Sequence, residues 1–153
     1  MSVELIGLDA YITLTLKADD TIRSVCGGRI FADQAPEQDP TSSQTQPVPY
    51  PIVLFSILSS PDKLGAGAVR IWTAPTVHVS VVGQGGGYGD IAPAADAIDA
   101  LLKNTGPVVV TWQGQTYNIL GMYRTGVLQR PTYENGVRFN WLTGVFKALI
   151  QAS

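Results

Sequence analysis

Between Asp33 and Pro51 the chain carries five prolines, at positions 36, 40, 47, 49 and 51, set among glutamines and serines. Proline lacks the N–H that a helix or a ladder needs, and its ring clashes with the preceding turn, so this stretch forms neither a helix nor a central strand. It separates a short N-terminal part from a long C-terminal part, and any shared core has to be built by contacts across it. Connections this long within a compact domain are usually binding elements or unstructured. The segment is therefore read as an exposed arm over about residues 33–51.

With 153 residues the chain is the size of one domain, 1–153, able to bury one continuous core without disulfides or metal. Hydrophobic residues make up 45% and charged residues only 14%, which describes a folded protein whose charge-poor surface suits partners. A net charge of -2 gives no basic footprint for phosphates, which excludes sequence-specific nucleic-acid binding as the main function. Cys26 is the single cysteine. It can close no internal disulfide, suggests a reducing compartment, and reads as a small apolar residue at a helix end. Two stretches without acid or base, Ile71 to Gly89 and Asn104 to Tyr123, are broken by glycine, proline and polar residues and do not qualify as membrane spans. The N-terminus lacks the basic start and cleavage site of a secretory signal.

Charge is unevenly spread. Residues 1–40 hold seven acids against three bases, a balance of -4, whereas from Lys103 onward five bases face Glu134 alone, a balance of +4. The two ends either neutralise each other within one fold or meet across copies, head to tail.

Leu5, Leu8, Ile12 and Leu16 give Val3 to Lys17 an apolar helical stripe. Asp19-Asp20-Thr21 caps a second short helix that Gly27-Gly28 ends, and Arg29 to Phe31 reads as a brief strand. Ile52 to Leu58 is an apolar run expected to be covered on both faces, stopped by Ser59-Ser60-Pro61-Asp62. Val69 to Trp72 suggests another strand, and Val77, Val79 and Val81 alternate with polar neighbours as a strand with one buried face. Asp90 is placed to cap a helix over Ile91 to Leu102, with Ile91, Ala94, Ala95, Ile98, Leu101 and Leu102 inward and Asp96, Asp99 and Lys103 outward. Val108 to Trp112 turns at Gln113-Gly114 into Thr116 to Met122. A separate segment near Gln129 to Tyr133 is joined by Asn135-Gly136 to a long last strand, Val137 to Ile150. The fold class is α+β: a mainly antiparallel twisted sheet packed by two amphipathic helices, with the proline-rich arm and a C-terminal hairpin.

Residues for chemistry are scarce. Gly87-Tyr88-Gly89-Asp90-Ile91-Ala92 satisfies a relaxed dinucleotide pattern. Asp90, however, puts negative charge where pyrophosphate would sit, and no acid lies between Asp99 and Glu134 to hold a ribose. The run Gly83 to Gly89 reads instead as a mobile loop. His78 is the sole imidazole and sits mid-strand, and Asp96 and Asp99 read as a solvated helix face. No ligand spacing for a metal is present, and neither cofactor nor enzyme activity is expected.

The aromatic residues split by context. Trp72, Trp112, Trp141, Tyr117, Tyr123, Phe139 and Phe146 lie on strands and are expected mostly in the core. Tyr50, Tyr88 and Tyr133 stand beside proline, glycine or turn residues, where exposed tyrosines make contact surfaces. The arm and the glycine loop add Gln34, Pro47 and Gly86 to this candidate protein interface.

The succession Gly27-Gly28-Arg29-Ile30-Phe31, proline loop, Pro49-Tyr50-Pro51, the Val77 to Gly83 strand, the Ile91 to Leu102 helix and a final strand after a turn resembles the tail-terminator or tail-completion (tail-to-head joining) proteins of long-tailed bacteriophages. The resemblance implies a homo-hexameric ring on the head-proximal end of the tail tube, halting polymerisation and docking the neck or connector proteins. It implies a protein of the virion tail or neck, assembled in host cytoplasm, with the genome free to pass through the ring and no membrane partner. Competing classes are a neck or head-completion connector subunit, a tail-tube subunit, or more remotely a small nucleotide-binding domain using the glycine loop.

Overall fold

The computed structural model describes residues 3–40, 46–58, 62–64, 70–103 and 105–151. Its elements are α1 (Val3–Ala18), α2 (Asp20–Cys26), β1 (Ile30–Ala32), β2 (Ile52–Ile57), β3 (Asp62–Leu64), β4 (Arg70–Thr73), β5 (Thr76–Gln84), α3 (Ala92–Leu102), β6 (Val108–Trp112), β7 (Gln115–Glu134) and β8 (Val137–Gln151). All eight strands join one sheet, in which β1 pairs parallel to β2 and the other pairings are antiparallel. The α+β reading holds.

β8 is the spine. One edge carries β5 from Thr76↔Lys147 to Gln84↔Phe139 and then β4 at Thr73↔Ile150, with Ala74-Pro75 between the two strands. The other edge carries β7 from Ile119↔Ile150 to Glu134↔Val137. Both hairpin turns use the predicted residues: Gln113-Gly114 and Asn135-Gly136 have positive φ throughout, as the tight two-residue turn of a right-twisted hairpin requires.

The helices cover one face. Leu8, Ile12 and Leu16 of α1, Ile22 and Cys26 of α2, and Ala94, Ile98 and Leu102 of α3 bury against Val53, Phe55, Val77, Val79, Val81, Phe146 and Ile150. On the other face Val48, Ile52 and Val82 form a smaller cluster with Phe31, Tyr50, Phe139 and Trp141. The arm is thus not a free appendage throughout: its C-terminal end is anchored on the sheet through Val48, although residues 41–45 lie outside the described part. Its two ends are clamped by Arg29, whose Nε and Nη2 both donate to the Pro51 carbonyl, while the Val53 N–H donates to the Arg29 carbonyl. That clamp gives the Gly-Gly-Arg-Ile-Phe sequence a structural reason.

Several expectations change. The two segments Thr116 to Met122 and Gln129 to Tyr133 are one strand, β7, whose register shifts at Ile119/Gly121 and Arg124/Gly126 interrupt the period-two pattern. α3 starts at Ala92 with Ile91 at its N-cap position, and Asp90 ends a 3-10 turn over Tyr88–Asp90 rather than capping the helix. Asp62 belongs to β3 rather than to a strand stop; Ser59, Ser60, Pro61 and Val69 lie outside the described residues. Asp99 accepts from Arg124 at 2.8 Å and pairs with Lys103 at 3.2 Å, so it ties α3 to β7 and is not simply a solvated outward group. α1 is not amphipathic, because Ile6 and Leu14 are exposed on the side away from its buried stripe. Trp112 and Tyr123 are also exposed, not core.

Gly7 marks where α1 meets the sheet: a β-carbon there would overlap the Tyr117 side chain. Alanine ordinarily strengthens a helix by about 1 kcal/mol over glycine. Here the overlap dominates, and Gly7→Ala is expected to lower stability by about 1–3 kcal/mol in urea unfolding, as overpacking does. A stabilised variant would contradict this contact.

Candidate protein interface

The distal half of the β7–β8 hairpin gathers several of the residues singled out in the sequence. Asn140 of β8 is fully buried and donates through Nδ2 to the carbonyls of Gly85 at 2.9 Å and Gly86 at 3.2 Å. The Gly85 N–H in turn donates to the Arg138 carbonyl at 2.8 Å. Arg138 Nε donates to Asn140 Oδ1, and its guanidinium lies 5.9 Å from the centre of the Tyr88 ring. The glycine loop is therefore held to β8 rather than mobile. The Gly85 and Gly86 carbonyls and the Gly85 amide thus all face protein partners.

Tyr133 sits directly opposite Arg138 in the ladder and is 68% exposed. Tyr88 is half-buried against the core, while Gly86 is exposed. On the other face Tyr50 packs on Phe139 at 5.2 Å, and its hydroxyl is pushed above the ordinary tyrosine range, first by burial and then by the charge of Glu134. Gln34 and Pro47 are exposed on the arm. Asn140 and Arg138 thus bring Gly86, Tyr88 and Tyr133 together on the helix-covered side, Tyr50 lies across the sheet, and Gln34 and Pro47 stand apart.

Sequence reasoning missed the larger feature. β6 pairs β7 only as far as Ile119, and no other strand continues along that edge. From Tyr123 to Glu134 the outer edge of β7 has no partner strand among the described residues. Over the same stretch both faces show apolar groups: Val127 is 65% and Leu128 51% exposed. An edge of this length with apolar side chains is a template for another chain. A groove of about 290 Å³ runs beside it, walled by Ala95 and Ile98 of α3, Val79, Phe146, Val127 and Leu128, with the Arg124–Asp99 pair at its rim.

A second apolar surface lies on α1 and β6. Ile6, Ala10, Thr13, Leu14 and Trp112 line a hollow of about 200 Å³ together with Asp9, and Val109 stands 64% exposed on the same edge strand. The Asp9 carboxyl is held above the usual range by burial first and by the charge of Asp33 second, opposed by a hydrogen bond from Thr13. The signal for this surface was present in the sequence, because Ile6 and Leu14 fall off the Leu5-Leu8-Ile12-Leu16 stripe.

The remaining reactive groups are accounted for structurally. Cys26 is fully buried at the end of α2, and its thiol is pushed up to about 11 by burial, with the Arg29 charge acting the other way. His78 lies mid-strand opposite Ser56 and Val145. Among the described residues no three His, Cys, Asp or Glu side chains converge to hold a metal, and no helix is long and apolar enough to cross a membrane.

No protein-family profile and no curated protein matches the chain. Among solved structures, the fold is similar to a chain in the virion of a native gene transfer agent (GTA) particle, with a TM-score of 0.70 and 16% identity over 99% of this chain and 100% of that one. A second solved protein is similar with a TM-score of 0.53 and 15% identity over 100% of this chain and 98% of its own. At such identities the likeness is one of fold.

Two outcomes follow from this geometry. Asn140→Ala strands two loop carbonyls and the Arg138 guanidinium, so stability is expected to fall by about 1–3 kcal/mol. Amide exchange over Gly86 to Tyr88 should accelerate in that variant; unchanged exchange there would contradict the pinning role. For Cys26, the folded thiol has its pKa raised above an unfolded value of about 8.5, so its contribution to stability is whole below that pH and is lost as pH rises toward about 11. Urea midpoints at pH 8 and pH 10.5 should differ more for the natural protein than for Cys26→Ala. Equal differences would argue against a buried thiol.

Proposed function

We propose that this chain is a structural protein of a phage-like virion, forming a closed ring that caps the head-proximal end of a tail tube and joins it to the neck or connector. The observation that carries the reading is the likeness of fold, over essentially the whole chain, to a component of the gene transfer agent particle. The element order that resembles tail-terminator proteins supports the finer assignment. So do two exposed apolar surfaces of different composition on one subunit, which suit heterologous contacts that repeat until a rotation closes. The candidate interface residues Gln34, Pro47, Tyr50, Gly86, Tyr88 and Tyr133 face neighbouring copies, the tube protein or the connector. In this reading six copies form the ring, the work is done by surface complementarity, and the protein acts in the virion after assembly in host cytoplasm.

A tail-tube subunit is the second reading, and the open β7 edge favours it, because an unpaired edge also suits unlimited polymerisation. Negative-stain microscopy of the purified protein separates the two: closed rings of one diameter that stop tube growth are expected, whereas long filaments would select the tube subunit. Replacing residues 37–46 by a short glycine-serine linker, while keeping Val48 and Tyr50, should leave unfolding unchanged but abolish attachment to the tube. Attachment at full strength would remove the arm from the interface.

A further inference from the structure

The hollow between α1 and β6 takes its shape from residues one helical turn apart. Ile6, Ala10 and Leu14 form one i, i+4 row on α1, and Asp9 and Thr13 stand in the row beside it. Ala10 is a single methyl between two long side chains, so the row dips at its middle, and Trp112 at the end of β6 supplies another wall. The result is a hollow of about 200 Å³ whose lining is apolar apart from the Asp9 carboxyl and the Thr13 hydroxyl.

Asp9 is the member of this set without a partner of opposite sign. Burial acts on it more strongly than any charge, yet among the described residues no Lys, Arg or His forms an ion pair with it. The charge that does act on it is negative, that of Asp33, and Thr13 gives it a hydrogen bond from the next turn. Lys17, the only base on α1, stands exposed about two turns further along the helix. A carboxylate drawn partly out of water with no counter-charge is costly, and a cation from outside would relieve that cost.

The walls select which cation fits. A metal ion needs several oxygen ligands, whereas the hollow offers one carboxyl and one hydroxyl among hydrocarbon. An arginine side chain matches every part of the lining: methylenes against Ile6, Ala10 and Leu14, charge against Asp9, and a planar guanidinium on the Trp112 indole. The fold already makes one such stack, Arg130 over Trp141 at 5.0 Å, while among the described residues no cation lies over Trp112. Arg23 is tied to Asp20, Arg29 to the Pro51 carbonyl, Arg124 to Asp99, Arg130 to Trp141 and Arg138 to Asn140. Each arginine whose side chain is described thus has a contact inside its own subunit, which disfavours a second copy as the donor.

We infer that the α1–β6 hollow receives an exposed arginine side chain of a different protein, held by Asp9 and Trp112 together. The assignment states the chemistry of a partner and does not depend on ring formation or on a place at the tail tube.

The test titrates the isotope-labelled full-length protein with the peptide acetyl-Gly-Arg-Gly-amide, and separately with its citrulline counterpart, which has nearly the same shape and no charge. The readout is the Trp112 indole N–H resonance, identified by its loss in Trp112→Phe. The arginine peptide should move it saturably, with a Kd on the order of 1–10 mM for a single anchoring side chain, and the citrulline peptide should leave it in place. The Trp141 indole N–H, already donated to Thr132, should respond to neither. Asp9→Asn, with folding checked by circular dichroism, should weaken the arginine response by about tenfold or more. The citrulline comparison needs only the natural protein and so stands even if that variant does not fold. An equal response to citrulline, an unchanged response in folded Asp9→Asn, or no movement of the Trp112 resonance would each overturn the assignment. An Asp9-dependent dimer of the natural protein in sedimentation velocity would also overturn it, because a second copy would then fill the hollow.

Discussion

Pairing along β8 is the constraint on which the rest of the structure depends. This strand is hydrogen-bonded along nearly its whole length on both sides, to β5 and β4 on one edge and to β7 on the other. Its alternate residues therefore fix what lies on each face. Phe146, Ala148 and Ile150 are fully buried in the main core, on the side where the helices pack, while Phe139 and Trp141 on the other side receive the end of the arm. Even the glycine loop takes its position from β8, through Asn140. A one-residue slip would exchange these two sets and undo both clusters together.

The same strand creates an imbalance at the sheet edge. β8 and the Asn-Gly turn carry β7 far beyond the reach of β6, so β7 is paired on its inner side and bare on its outer side. Burying an apolar group on such a strand contributes about 1.5–3 kcal/mol per large side chain, and this chain leaves several of them in water. The apolar outer side of α1 repeats the pattern on another part of the molecule, since a helix apolar on every side is ordinarily surrounded. A chain with two uncovered apolar surfaces gains from association what it forgoes as a single copy. Low charge overall, which is costly for a monomer's solubility, is consistent with surfaces destined to be covered.

Much of this was legible in the sequence, and the gaps have physical causes. Helix stripes, the Asp19 cap and the two turn pairs are local signals and appear in place, whereas the valine alternation of β5 predicts one buried face and the strand is covered on both, Ser80 and Val82 being buried as well. β7 looks like two pieces in the sequence because two register shifts break its alternation, and glycines at 121 and 126 resemble punctuation in one dimension. The anchoring of the glycine loop was hidden because Asn140 lies 54 and 55 positions from the carbonyls it binds. Of the candidate interface residues, Gln34, Pro47, Gly86 and Tyr133 are exposed, whereas Tyr88 and Tyr50 are partly used inside the fold. The exposed side of α1 was visible in Ile6 and Leu14 but was overshadowed by the cleaner inward stripe.

The central claim is that the outer edge of β7 is unsatisfied in one copy and covered in the assembly. Residue-resolved amide hydrogen exchange, measured on dilute single subunits and on isolated rings, tests it most directly. Outward amides between Tyr123 and Glu134 should exchange rapidly in the single subunit and become strongly protected in the ring, while β8 amides are slow in both. Equal exchange of that edge in the two states would contradict the account.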